Sequence, residues 1–294
     1  MTLFLQQIVD GLSSGALYAA TALSLVLVYR ASGFLNFAQA EMATFGTFVV
    51  WQLWIWGVPL WAAVSLSLVL SFFGGALMER TLIRPLTRSA SHLTLIIVTL
   101  GVMLILLNGA GWIFDFGVKE FPSVLGGPVV ELGPAVISRQ SLVVICTVFL
   151  LAAALWVLFQ HTRIGLVMRA AVDNPESADL MGLPTGTVLT ISWGLAAAIG
   201  TLMGVLVAPQ VFLAPGMLLP TLIYSFTAAI LGGLDSPQGA IVGGFIVGIS
   251  ENLAGSYLPG IGADFKQAVA LAIIMAVLLF KSEGLFGTKG VIRV

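Results

Sequence analysis

Charge is what this chain has least of: twelve Lys and Arg and thirteen Asp and Glu in 294 residues, 9% together, against about a quarter in an ordinary soluble domain. With 59% hydrophobic residues and a mean hydropathy of +1.08, such a chain has little to present to water and is expected to be a polytopic membrane protein. The net charge of −1 supplies no basic field for nucleic acid, so no nucleic-acid partner is expected. Cysteine is reduced to Cys146 in an apolar run, which excludes an internal disulfide and leaves the redox compartment unread. The two histidines, His92 and His161, stand apart in loops beside arginines, and no metal-ligating set is visible. There is no GxxxxGK[ST] phosphate loop; GLFGTKG lacks its spacing and the Ser or Thr after Lys289, so ATP hydrolysis by that route is excluded. With no GxSxG elbow and no Ser-His-Asp pattern, no catalytic, cofactor-binding or metal residue is assigned, and an enzyme is the weaker class. The first ten residues, MTLFLQQIVD, hold no Lys or Arg, so no cleaved signal peptide is expected and the first helix is read as retained.

What is there are apolar runs. A transmembrane helix takes about 20 mostly apolar residues, and candidates lie near 9–29, 34–56, 59–78, 93–114, 141–160, 187–209, 219–233, 239–257 and 266–281. The run at 219–233 is short and the one at 34–56 starts polar, so either is a candidate for a broken or re-entrant segment. The expected fold is therefore an all-α integral membrane bundle of eight or nine spans, with 1–294 as a single domain. Arg30, Arg80, Arg84, Arg88, Arg163, Arg169, Lys281, Lys289 and Arg293 fall in loops of one side, Lys119, Arg139 and Lys266 in loops of the other. The positive-inside rule makes the first side cytoplasmic, with the N-terminus outside and the C-terminus inside. The Gly- and Pro-rich segment 115–140 becomes a small external loop, and 161–186 a cytoplasmic one. Small residues four apart, Gly11/Gly15/Ala19, Gly200/Gly204/Ala208 and Gly244/Gly248, predict close helix contacts.

Three stretches carry polar groups where hydrocarbon is expected. "GFLNFAQAEMATFG" holds Asn36, Gln39 and Glu41, and "GISENLAG" holds Glu251. Counting helical rise from Ala31 and from Ala240 places both glutamates about 15 Å in, near the midplane. Such carboxyl groups face a bundle interior or a watery cavity, as a solute path or as hydrogen-bonding glue. "ILGGLDSPQGAIVGG" interrupts another run, and its Gly232, Leu234, Asp235 and Gln238 match Gly33, Leu35, Asn36 and Gln39 at a constant offset, as an internal repeat would. In the cytoplasmic loop, "RAAVDNPESADLMGLP" predicts a two-turn helix: Asn174 as cap, Pro175 first, Glu176 at the positive end, Gly182 and Pro184 ending it. Its Ala178, Leu180 and Met181 are enough to fill a groove on a partner, with Arg169 flanking it. One alternative is a self-sufficient, proton-coupled carrier or channel relaying through Glu41 and Glu251.

Together "GFLNFAQAEMATFGTF", "ERTLIRPLTRS", "RAAVDNPESADLMGL" and "FTAAILGGLDSPQGAIVGGFIVGISENL" resemble the smaller permease of ABC importers for branched-chain amino acids, from Gly11 to Gly287. The resemblance implies a heterodimer with a second, related permease, two cytoplasmic ATPases and an extracytoplasmic substrate-binding protein, which explains the missing phosphate loop. It also implies a bacterial inner-membrane location, no cofactor, and ATPase docking by Asn174 to Gly182. Relatives carry urea, short amides or aromatic acids as well. The chain departs from the pattern at Gln39–Ala40, where His-Gly is common, at Asp235, where Gly is, and at Ser282–Glu283, where Pro is. On this reading Asn36, Gln39, Glu41, Asp235, Gln238 and Glu251 line a translocation path.

Overall fold

The computed structural model describes residues 2–87, 91–123, 129–133, 135–173, 178, 180–257, 266–281 and 283–287. Among the described residues, each of the nine apolar runs holds a helix: α1 Thr2–Ser32, α2 Gln39–Ile55, α3 Leu60–Met78, α5 His92–Phe114, α6 Arg139–His161, α8 Thr185–Val211, α9 Leu219–Gly232, α10 Pro237–Tyr257 and α11 Lys266–Phe280. The protein is an all-α membrane protein, and five of these helices (α1, α3, α5, α6 and α8) are long and apolar enough to cross a membrane by length and composition. Two short helices were not foreseen, α4 Arg84–Thr87 and α7 Arg163–Asp173, nor was the small antiparallel hairpin of β1 Val130–Leu132 and β2 Ala135–Ile137 within segment 115–140. Of the expected two-turn helix, Asn174, Pro175 and Glu176 lie outside the described residues.

The chain forms two compact units, one of residues 1–26, 125–152 and 220–294, the other of 27–124 and 153–219. In the first, α1 and α10 meet backbone to backbone. A Cβ on Gly15 would stand 2.8 Å from Phe245 Cα, and one on Gly248 2.4 Å from Gly15 Cα. No side chain fits there, so small residues at four-residue spacing permit this contact. Gln6 holds the hairpin to α1, donating to the Val136 carbonyl (2.9 Å) and accepting from its amide (2.8 Å).

In the second unit α8 packs against α2 and α3. A Cβ on Gly204 would strike Thr47 and one on Gly75 would come 2.6 Å from the Trp193 carbonyl. α8 is mostly buried, whereas α3 and α5 are mostly exposed, as helices facing lipid would be. Trp54 and Trp56 at the end of α2, Trp61 at the start of α3 and Trp112 at the end of α5 are exposed at one end of this unit, the arrangement that anchors a bundle at a membrane interface.

Candidate functional site

In the second unit, α1 stops at Ser32 and Gly33 takes a left-handed φ of 76°, a conformation natural only to glycine. Asn36 Oδ1 accepts from the Ala38 amide at 3.0 Å, closing the turn from which α2 begins at Gln39. Asn36 Nδ2 lies 3.4 Å from Gln39 Oε1, and Gln39 Nε2 donates to the Ala196 carbonyl of α8 at 2.8 Å. Asn36, Gln39 and Glu41 are fully buried. Gln39 and Asn36 therefore spend hydrogen-bonding groups on the turn and on α8. Glu41 does not: among the described residues neither carboxyl oxygen has a hydrogen-bond partner, and the Gly216 backbone amide lies toward it without hydrogen-bond geometry.

The expected depth of Glu41 needs correction. Residues 33–38 are not helical, so Glu41 is the third residue of α2 and not ten helical residues beyond Ala31. Its carboxyl group sits in a first turn, where unpaired amides and the helix dipole favour negative charge.

The first unit treats its polar residues differently. α9 stops at Gly232, Gly233 takes φ 109°, and Ser236 Oγ accepts from the Gly239 amide at 3.1 Å to start α10 at Pro237. Asp235 is half-buried in this turn and Gln238 is exposed. The turn is backed by the chain's later segment, with the Leu285 and Phe286 amides donating to the Leu231 and Gly232 carbonyls at 2.7 and 2.9 Å. Glu251 is on the same continuous α10, about 20 Å beyond Gln238. Asp235 and Gln238 are thus not grouped with Glu251. Glu251 Oε2 accepts from Tyr18 Oη at 2.6 Å, and Tyr18 stacks on Tyr224 with centroids 4.7 Å apart. The two interrupted stretches share a helix–turn–helix form, but their left-handed glycines, Gly33 and Gly233, are one residue out of the sequence register.

For the cytoplasmic loop, Ala178 is fully buried in the chain, while Leu180 and Met181 are 84% and 70% exposed. Ala178 is therefore not available to a partner, and the exposed apolar pair is Leu180 and Met181 beside Gly182, whose φ is 74°. Arg169 belongs to α7.

Sequence reasoning missed Tyr18 and Tyr224, whose partner is more than 200 residues away in Tyr18's case. It also missed an ion pair between the buried Glu79 and the partly exposed Arg84. Glu79 and Arg84 lie about 140° apart on an α-helix, but Glu79–Ile83 is a π-helical turn, whose i→i+5 bonding returns both to one side. Arg84 Nε and Nη2 each reach the fully buried Glu79 carboxylate at 3.0 Å.

The family model described as "Branched-chain amino acid transport system / permease component" matches residues 7–278. The chain is 29% identical to the high-affinity branched-chain amino acid transport system permease protein BraD of Pseudomonas aeruginosa, over 99% of this chain and 98% of that one. It is 30% identical to the corresponding protein LivH of Escherichia coli K12, with the same coverage of each. It is 32% identical to the xylose/arabinose import permease protein XylH of Sulfolobus acidocaldarius, over 74% of this chain and 60% of that protein.

Proposed function

Since the chain belongs to the family of permease components of branched-chain amino acid transport systems, we propose that it is the permease subunit of an ATP-driven importer for branched-chain amino acids or related small polar solutes. It is a transport subunit, not an enzyme. Its substrate arrives from an extracytoplasmic binding protein, a second homologous permease completes the membrane pair, and two cytoplasmic ATPase subunits supply the energy. The chain is one permease domain of eight or nine crossings, N-terminus outside and C-terminus in the cytoplasm, in keeping with nine Lys and Arg against three. Cysteine at Thr87 labels only from inside and at Ser123 only from outside, in a Cys146→Ser background; the reverse overturns the topology.

The observation that carries the ATP-driven reading is the exposed pair Leu180 and Met181 in a loop assigned to the cytoplasm, on a chain with no phosphate loop of its own. Apolar side chains exposed at the end of a short polar segment gain stability by packing on another protein. Leu180→Asp and Met181→Asp place a charge in that contact, so ATPase copurification and ATP-dependent uptake fall while the chain stays in the membrane. Unchanged copurification and uptake in both variants defeat the reading.

Glu41 is the candidate carboxyl group of the solute path, because among the described residues neither of its oxygens has a hydrogen-bond partner. Asn36 and Gln39 hold the turn that presents it. The XylH relative supports a broad solute class, so the uptake assay pairs leucine, isoleucine and valine with urea, short amides, aromatic acids and pentoses. Accumulation by the purified chain alone under a proton gradient overturns the ATP-driven reading in favour of a Glu41/Glu251 relay.

A further inference from the structure

The end of α3 and the start of α8 are joined by a cluster that the solute path does not use. Glu79 is fully buried and Arg84 approaches it with two nitrogens at 3.0 Å. The same guanidinium donates to the Gly186 carbonyl and to Thr190 Oγ1, one turn apart on α8. Thr190 Oγ1 in turn has Glu79 Oε2 within donating distance at 2.7 Å. Gly186 leaves room for the arginine, since a Cβ there would lie 3.3 Å from Arg84 Cζ. The π-turn at Glu79–Ile83 is what brings donor and acceptor to one side.

An ion pair with one buried and one partly exposed member adds little net stability; what it supplies is a single geometry. The geometry held here is that of the α8 N-terminus. On one side of the cluster, the chain from Ala178 is tied to α8 by the Leu183 amide on the Ala178 carbonyl (3.0 Å), the Thr185 amide on Leu183 (2.8 Å) and the Val188 amide on Pro184 (3.2 Å). On the other side, Ala196, which holds Gln39 at 2.8 Å, is about 9 Å further along α8 than Thr190.

We propose that Glu79, Arg84 and Thr190 form a clamp that makes the 180–185 segment, α8 and α3 move as one body, so that displacement delivered at Leu180 and Met181 reaches the turn carrying Gln39 and Glu41. Arg84 and Thr190 are positioning residues. Without the clamp the ATPase still binds, but its motion is absorbed in a slack helix start. This inference rests on the ATPase-docking reading of the loop.

The test is the full chain reconstituted in liposomes with the ATPase and permease subunits that copurify with it, measuring solute imported per ATP hydrolysed. Arg84→Met lowers that ratio about tenfold and Thr190→Val about fivefold, as loss of charged and neutral hydrogen bonds implies, with ATPase copurification unchanged. Arg84→Lys stays well below wild type, because one ammonium cannot replace the planar fork. Thr81→Val, which removes a hydroxyl bonded to the Leu77 carbonyl of its own turn, leaves the ratio unchanged. If Arg84→Met does not fold, Thr190→Val alone decides. A normal ratio in Thr190→Val refutes the clamp, as does loss of ATPase binding in that variant, which would make the cluster part of the docking surface. No ATPase copurifying with wild type overturns the docking reading itself, and the clamp falls with it.

Discussion

Glu251 and Glu41 are both buried carboxyl-bearing residues on helices, yet the two units that hold them use them in opposite ways. Glu251 is mid-helix, bonded to Tyr18 at 2.6 Å, beneath an α1–α10 contact too close for side chains. Glu41 is in a first helical turn, with both oxygens unpartnered among the described residues. A carboxyl group with a partner consolidates a helix contact; one without a partner costs free energy that only a ligand, water or function repays. Burial and residue type are therefore poor guides to role, and the hydrogen-bond inventory around each group is a better one.

The widest separation between the units comes from the helix contact. Gly248→Leu drives a side chain into Gly15 Cα at 2.4 Å, and because backbone cannot yield as a side chain does, the cost exceeds the usual ~1–3 kcal/mol of overpacking. The variant gives no monodisperse protein on size exclusion. If it purifies normally with an unchanged Tm, the first unit is looser than its backbone contact implies.

Next in size is Glu41→Gln. Uptake falls by about tenfold or more, in line with loss of a functional ionisable group in a membrane protein, while Tm shifts little because neither carboxyl oxygen has a hydrogen-bond partner among the described residues. Intact uptake with a lowered Tm would make Glu41 structural and erase the contrast. For Glu251→Ala the pattern reverses: the Tyr18 hydroxyl loses its acceptor, stability drops by about 1–3 kcal/mol, and uptake per folded molecule is retained. Tyr18→Phe is milder, about 1 kcal/mol for one hydrogen bond, read as a lower Tm. The smallest effect is that of Gln238→Ala, since its side chain is exposed and surface substitutions stay within about 0.5 kcal/mol; a loss of uptake there would return Gln238 to the solute path.

Much of this was legible without coordinates. Among the described residues each of the nine apolar runs holds a helix, with ends within a few residues for most; α1, which begins seven residues before its run, is the main exception. Hydrophobic length is a local property, which is why it reads directly. The small-residue spacings of Gly11/Gly15 and Gly244/Gly248 likewise marked the faces that meet. The helical count behind the depth of Glu41 does not hold because six residues, 33–38, leave the helix, and rise per residue holds only while hydrogen bonding is continuous. Ala178 is buried in the chain and not available as a contact residue, which no periodicity within its own segment reports.

By itself, the sequence determined that this is a many-helix membrane chain, where its helices run, and, through four ordered motifs, the family to which it belongs. These rest on composition and short-range pattern, which survive any arrangement of the helices. Tertiary structure alone decided that Tyr18 partners Glu251, that Gln39 is tied to Ala196, and that Thr190 reaches the Glu79 carboxylate. A hydrogen bond needs its atoms within about 3 Å, and residues more than a hundred positions apart reach that distance only through the packing of whole helices.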